Sequence, residues 1–292
     1  MLNKTFVLLE FQLDSNDNDI ARTKQIQRGN KSMIAIVLAG GYAKRLQSIT
    51  KDIPKPLLKV AGKPIISYIF DRLNRIEDIQ RIIISTNLRF EEQFKEWLNS
   101  NPSRTAEIIS DRSRSDEEKP GALASLASIT ADIDEDCLII AGDNLFTSSL
   151  TSMIQEFKAR RFPTIALYDI KDEELAKQYS TVILDKEGRI TNFVEKPKKP
   201  KTTIIGTCIY ALPKQTLPRL RECTRRSDHC DNTGKFIEWL HKREPVYGHI
   251  LEGHWWDIGT PDQYLIADQT LRDSPFREKH FERELKSSVP SG

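Results

Sequence analysis

Two kinds of apolar pattern alternate along the first half of the chain. Continuous apolar runs of strand length occur at Ile34–Leu38, within Arg81–Thr86 and at Cys137–Ala141, and they suit strands buried on both faces. Between the first two, Ile65, Ile66, Tyr68, Ile69, Leu73 and Ile76 recur at helical spacing. After the second, Phe90, Phe94, Trp97 and Leu98 do the same, which makes them core residues of an amphipathic helix rather than a stacking platform. A short strand is expected over Ala106–Ile109. Strand, helix, strand, helix, strand predicts a doubly wound α/β fold, with helices on both faces of a largely parallel sheet and ligands bound at the carboxyl ends of the strands.

The remaining pattern extends this plan. Asp111–Pro120 is charged, lacks periodicity and reads as a mobile loop, with a helix starting at Gly121. A helix over Leu150–Phe157 and a strand over Thr164–Ile170 follow. Thr181–Leu184 and Arg189–Val194 read as a hairpin around Gly188. A strand over Thr203–Leu212, a helix over Lys214–Leu220 and a capped helix spanning Asp231–Leu240 come next, then a strand over Val246–Leu251. Thr260-Pro261 is a helix start, threonine as N-cap and proline in the first turn, leaving Asp262–Gly292 as one or two helices and a tail.

Composition narrows the class. A chain of 292 residues holds one large domain or two small ones, and 38% hydrophobic with 29% charged residues describes a soluble globular protein. With 44 basic and 42 acidic residues, net +2, there is no electrostatic footprint for nucleic acid. No apolar run approaches the ~20 residues of a membrane helix, so no membrane partner is expected. Cys137 and Cys208 sit in apolar runs and read as small core residues. Cys223, His229 and Cys230 are close in sequence, but their spacing matches no standard zinc pattern. A reducing, cytoplasmic setting is the default. Residues 1–32 fit poorly with the rest: an apolar Phe6–Phe11, an acidic Asn-rich run over Asp14–Asp19, then a basic stretch from Arg22 to Lys31. They read as a poorly ordered N-terminal extension, followed by a domain over 33–272 and a C-terminal tail over 273–292.

Candidate chemistry clusters where the buried strands end. After Leu38 come Ala39-Gly40-Gly41, where glycine permits positive φ and close approach of a ligand to backbone N–H groups; a triphosphate suits such a turn. Lys44 and Arg45 add positive charge, and Lys55 is held between Pro54 and Pro56, presented with little entropy to lose. Neither a P-loop nor a dinucleotide fingerprint is present. Gly142-Asp143 closes the run from Cys137, where a carboxylate can hold Mg²⁺ or merely close a turn. Glu195-Lys196-Pro197 pairs an acceptor for hydroxyls with a compact cation, although alone it is a commonplace charged loop.

Taken in order, Gly40-Gly41, Arg45-Leu46, Pro54-Lys55-Pro56-Leu57 and Gly62-Lys63-Pro64 resemble the signature of the sugar-1-phosphate nucleotidyltransferases, in particular short forms similar to glucose-1-phosphate thymidylyl- and uridylyltransferases. The resemblance spans about 34–271, with one departure, Ala43-Lys44 where the bacterial form usually has Gly-Thr before the arginine. It implies a three-layer α/β/α Rossmann-like domain with a mixed, mainly parallel sheet. It implies nucleotide binding by Leu38, Ala39, Gly40, Gly41, Lys44 and Gly121, catalysis assisted by Arg45 and Lys55, and sugar-phosphate binding by Gly142, Glu195, Lys196 and Gly206. Asp143 and Asp257, the latter in Trp255-Trp256-Asp257-Ile258-Gly259-Thr260-Pro261, are the implied Mg²⁺ ligands. The implied substrates are a nucleoside triphosphate and a sugar 1-phosphate, by default glucose 1-phosphate with dTTP or UTP, and a homo-oligomer is compatible. Mannose 1-phosphate with GTP, another phosphate acceptor, and a non-catalytic sensor are the alternatives. The glutamine that commonly precedes the glycine at 121 is replaced here by Glu118-Lys119-Pro120, so the base is left open.

Overall fold

The buried strands assemble into one mixed sheet in which Met33–Leu38 lies between Ile79–Asn87 and Asp136–Ala141. The computed structural model describes residues 32–42, 46, 52–101, 106–115, 117–118, 120–226 and 230–273. The chain divides into two units, Met1–Ser32 and Met33–Gly292, and the second is described here. Apart from Ser32 the expected N-terminal extension lies outside the described residues, as do positions 274–292.

In chain order the elements are β1 (Met33–Leu38), a 3₁₀ turn (Lys55–Leu57), β2 (Lys59–Val60), β3 (Lys63–Pro64), α1 (Ile65–Leu73), β4 (Ile79–Asn87), α2 (Glu91–Ser100), β5 (Ala106–Asp111) and α3 (Ala122–Ile129). Then follow β6 (Asp136–Ala141), β7 (Asn144–Phe146), α4 (Thr151–Arg160), β8 (Thr164–Asp169), α5 (Glu173–Ala176), β9 (Ser180–Leu184), β10 (Ile190–Glu195) and β11 (Ile204–Leu212). The last are α6 (Leu217–Arg226), α7 (Thr233–Leu240), β12 (Tyr247–Ile250), β13 (Trp255–Asp257) and α8 (Pro261–Asp273).

Strand β1 lies between β4 and β6 and runs parallel to both, and β4 is parallel to β5. Beyond β6 the ladder turns antiparallel through β11, β8, β9 and β10, so the sheet is mixed as expected. Period-two alternation in β1 explains the three layers. Ala35 and Val37 face a core built with α1, α2 and α4 through Ile69, Phe70, Phe94, Trp97 and Phe157. Ile34 and Ile36 face the opposite core, with Leu123, Leu126, Leu220, Phe236 and Leu240 of α3, α6 and α7. A smaller cluster joins Leu58, Val60, Leu145, Ile258, Ala267 and Leu271, seating α8 against β2 and the β7–β13 pair. Among the described residues no helix is long and apolar enough to cross a membrane.

Three local readings change. The segment after β5 is tied down where it is described: Asp111 accepts from the Ser113 amide at 2.9 Å and from its hydroxyl, Ser113 is buried, and Tyr42 lies 3.2 Å from the Ser113 hydroxyl. Its charged side chains hid an Asx-type turn, which needs no apolar periodicity. Cys223 and Cys230 are joined as a disulfide, leaving no thiolate pair for zinc; His229 lies outside the described residues. Cys208 is only half-buried by its residue surface and carries a left-handed φ of 53° at a register break in β11, so it is not simple strand core.

Candidate active site

The carboxyl ends of β1, β4 and β6 meet at the turn that follows β1. Leu38 is in register with Ala141 on one side and Ser85 on the other. The Gly142 amide donates to Leu38 O at 2.8 Å, and the Ala39 amide to Ser85 O at 2.7 Å. Two buried polar residues ending β4 hold the turn from behind: Asn87 Nδ2 donates to Gly40 O at 3.1 Å, and Thr86 Oγ1 to Ala39 O at 3.4 Å. Buried polar side chains are retained where they have partners, and here their partners are the turn's carbonyls. Neither Gly40 nor Gly41 makes use of the positive φ open to it. Among the described residues a Cβ on Gly41 would meet no atom within 4 Å. Lys44 and Arg45 lie outside the described residues.

Pro54 and Pro56 frame a 3₁₀ turn closed by Leu57 N to Pro54 O at 2.9 Å. Pro56 is buried against Gly142, and this contact delivers Lys55 to the end of β6. Lys55 Nζ stands 3.0 Å from Asp143 Oδ2, with the lysine side chain 14% exposed and the aspartate 32%. At that exposure the pair is partly desolvated, so the charges act on one another more strongly than a surface pair does.

Asp143 and Asp257 are brought together by two three-residue strands. β7 pairs antiparallel with β13, setting Asn144 opposite Asp257, and the Ile258 amide donates to Asp143 O at 3.3 Å. Buried Asn144 locks the pair: it accepts from the Trp255 indole N–H and donates to Ala141 O at 3.3 Å. Burial pushes the Cys208 thiol up to about 11, and the negative charges of both Asp143 and Asp257 push in the same direction, against hydrogen bonds from Thr233 and Tyr210. That thiol is therefore protonated at neutral pH and is no nucleophile. Among the described residues no group of three histidine, cysteine or acidic side chains could hold a metal. Two carboxylates without imidazole or thiolate fit a hard cation that takes its remaining ligands from phosphates and water.

The hairpin of β9 and β10 supplies the other side. Ser180 is in register with Glu195, and the Ser180 hydroxyl donates to the Glu195 carboxylate. Lys196, immediately after, has a left-handed φ of 47° and donates its amide to Tyr179 O at 3.2 Å. A left-handed φ at a non-glycine residue carries strain, and strain of this kind collects at ligand sites. Gly206 lies against Phe193 and Ser180. Gln263 of α8 ties the two sides, donating to Tyr179 Oη at 3.1 Å and accepting from the Gly259 amide at 3.0 Å. Gly121 caps α3 with a φ of 88°, and its Cα faces Asp231 O.

Lys55 is thus paired with Asp143, and Asp257 stands across a two-stranded ladder from the residue following Asp143. Glu195, Lys196 and Gly206 share the β9–β10–β11 wall. Sequence reading passed over Thr86, Asn87, Asn144, Ser180 and Gly234. For Thr86 and Asn87 a signal existed, two polar residues ending an otherwise apolar strand.

A family model described as nucleotidyl transferase matches residues 34–274. D-glycero-alpha-D-manno-heptose 1-phosphate guanylyltransferase of Aneurinibacillus thermoaerophilus is 32% identical over 247 residues, covering 82% of this chain and 99% of that protein. Bifunctional protein GlmU of Methanocaldococcus jannaschii is 28% identical over 242 residues; they cover 82% of this chain, which spans only 55% of GlmU. A solved UDP-glucose pyrophosphorylase in complex with UDP-glucose superposes with a TM-score of 0.69 at 19% identity, over 82% of this chain and 98% of that one, and shares the fold. The chain belongs to the nucleotidyl transferase family, among the sugar-1-phosphate nucleotidyltransferases that its sequence signature resembles.

Proposed function

We propose that the protein joins a nucleoside triphosphate to a sugar 1-phosphate, giving a nucleoside-diphosphate sugar and pyrophosphate. The observation that carries this reading is the convergence of Lys55, Asp143 and Asp257 beside the Gly40–Gly41 turn. A phosphate oxygen of the sugar phosphate attacks the α-phosphorus in line. The new P–O bond forms as the bond to the β-phosphate oxygen breaks, and pyrophosphate leaves with that electron pair. The nucleophile is already anionic at neutral pH, so no general base is needed, and catalysis is positioning and charge neutralisation.

In this reading the turn from Leu38 to Gly41 cradles the triphosphate, with Lys44 and Arg45 contributing charge, and Gly121 lies by the base. Lys55 and Arg45 neutralise the departing pyrophosphate. Glu195 accepts from sugar hydroxyls, Gly142 and Gly206 allow the sugar close to the backbone, and Lys196 holds its phosphate. Asp143 and Asp257 would hold Mg²⁺, which when bound supplies charge neutralisation on the phosphates. Glucose 1-phosphate with dTTP or UTP is the default pair. A guanylyltransferase is the second reading, favoured by the 32% identity to the heptose 1-phosphate enzyme and by the missing glutamine ahead of Gly121.

Pyrophosphate release across a matrix of nucleotides and sugar 1-phosphates, with Mg²⁺ and with chelator, tests the proposal. One strong, metal-dependent combination is expected. Asp143→Ala should abolish turnover without unfolding the protein. A blank matrix from folded protein that still binds nucleotide would favour the sensor.

A further inference from the structure

Glu195 is the carboxylate assigned above to the sugar, yet none of its immediate support comes from the motif that contains it. Ser180 stands directly opposite across the antiparallel hairpin, where paired side chains share one face, and its hydroxyl donates to Glu195 Oε2. On the other side the first turn of α7 presses against the same oxygen. A Cβ at Gly234 would overlap Glu195 Oε2, stand 2.9 Å from the carboxyl carbon and 3.0 Å from Ser180 Oγ. Gly234 is the second residue of α7 and has no positive φ that would call for glycine. Its presence in α7 is explained by the carboxylate that occupies the space. The turn is also fixed: Asn232 caps the helix by accepting from the Lys235 amide at 2.8 Å, and the Thr233 hydroxyl lies 3.1 Å from Cys208 Sγ in the strained part of β11.

We propose that Ser180 and Gly234 are positioning residues that hold Glu195 in one orientation, so that its carboxylate selects sugar 1-phosphates by which hydroxyl they present to it. The inference rests on the proposed sugar-phosphate reading. A carboxylate confined between a donor and a helix backbone cannot turn to follow a differently placed hydroxyl, and confinement of an acceptor converts hydrogen bonding into discrimination. The class of ligand is a pyranose 1-phosphate with an unsubstituted ring hydroxyl facing Glu195.

The test is a double-mutant cycle on the full chain, measuring KM for each substrate. Gly234→Ala adds a methyl where the carboxylate stands; Ser180→Ala removes the donor and adds nothing, so it serves if the first variant fails to fold. Each should raise KM for the sugar 1-phosphate about tenfold, the effect of losing one charge-assisted hydrogen bond, with KM for the nucleotide changed less than about twofold. Each should also narrow the preference among epimeric sugar 1-phosphates. In a Glu195→Ala background, which removes the atoms both residues act on, neither change should add anything. Equal effects in both backgrounds, or equal rises in both KM values, would overturn the proposal. So would a Glu195→Ala enzyme with unaltered sugar KM. Wild-type protein inert towards every sugar 1-phosphate would overturn the functional reading itself, and is told apart by appearing before any substitution is made.

Discussion

Gly142 is the residue whose replacement most directly joins stability to the site. A methyl group there would stand 2.9 Å from Leu38 O, 2.9 Å from Pro56 Cγ and 3.5 Å from Ala39 Cα. Ordinary contacts between such atoms lie at about 3.5–4.0 Å, so both nearer neighbours would have to retreat by about half an ångström. Neither has slack. Leu38 ends a central strand and its carbonyl is held by the Gly142 amide at 2.8 Å; Pro56 is buried within the 3₁₀ turn. Overpacking of this kind costs about 1–3 kcal/mol. With a urea slope of about 3 kcal/mol per molar, Gly142→Ala should lower the unfolding midpoint by about 0.3–1 M at unchanged slope. The same displacement moves the residues that carry the Gly40–Gly41 turn and Lys55, so KM for the nucleotide should rise as well. A Gly142→Ala protein with its midpoint within about 0.1 M of wild type and an unaltered nucleotide KM would refute the packing argument.

Other expectations follow from the same geometry. Trp255→Phe leaves buried Asn144 without its indole donor and should cost about 1–3 kcal/mol while lowering kcat, because Asn144 pairs with Asp257; calorimetry and initial rates would expose an unaffected protein. Reducing the Cys223–Cys230 disulfide with a dithiol opens a short loop and should lower stability by about 2.5 kcal/mol on chain-entropy grounds, so an unchanged melting temperature after confirmed reduction contradicts it. Burial pushes the His241 imidazole below its ordinary 6.5. The unfolded chain then binds the proton first as pH falls, so this contribution is intact above pH 6.5 and is lost progressively below it, towards the folded-state value. His241→Asn should flatten that decline in urea midpoints taken from about pH 7 to 5, and an identical slope in the variant would rule the residue out.

The doubly wound half was legible because β1, β4 and β6 are buried on both faces and therefore written as continuous apolar runs, while α1 and α2 carry their stripes openly. Lys55, Asp143, Asp257, Glu195 and Lys196 were legible as motif residues, and the structure pairs Lys55 with Asp143 and sets Asp257 across from Asn144. What stayed hidden shares a cause. β7 is three residues long, too short to show a period, and its partner β13 lies more than a hundred residues away. Asp111–Ser113 folds back through side-chain hydrogen bonds, which charge counts cannot see. The reason for Gly234 resides in Glu195, on another element, and a glycine in a helix gives no hint of what it makes room for. Lys196 and Cys208 adopt left-handed φ without being glycine, so their identity announces nothing.

The three-residue ladder between β7 and β13 also times the birth of the enzyme. Asp143 leaves the ribosome just after β6, but the strand that sets Asp257 across from its neighbour Asn144 is made only after more than a hundred further residues. At about 5–20 residues per second that interval is of the order of 6–23 s. During it a nascent chain can shape the Gly40–Gly41 turn and the Lys55 platform while lacking half of its acidic centre. The pairing that sets Asp257 across from Asn144 thus waits until the hairpin wall, α7 and β13 have all been synthesised, and on the proposed reading the site is complete only then.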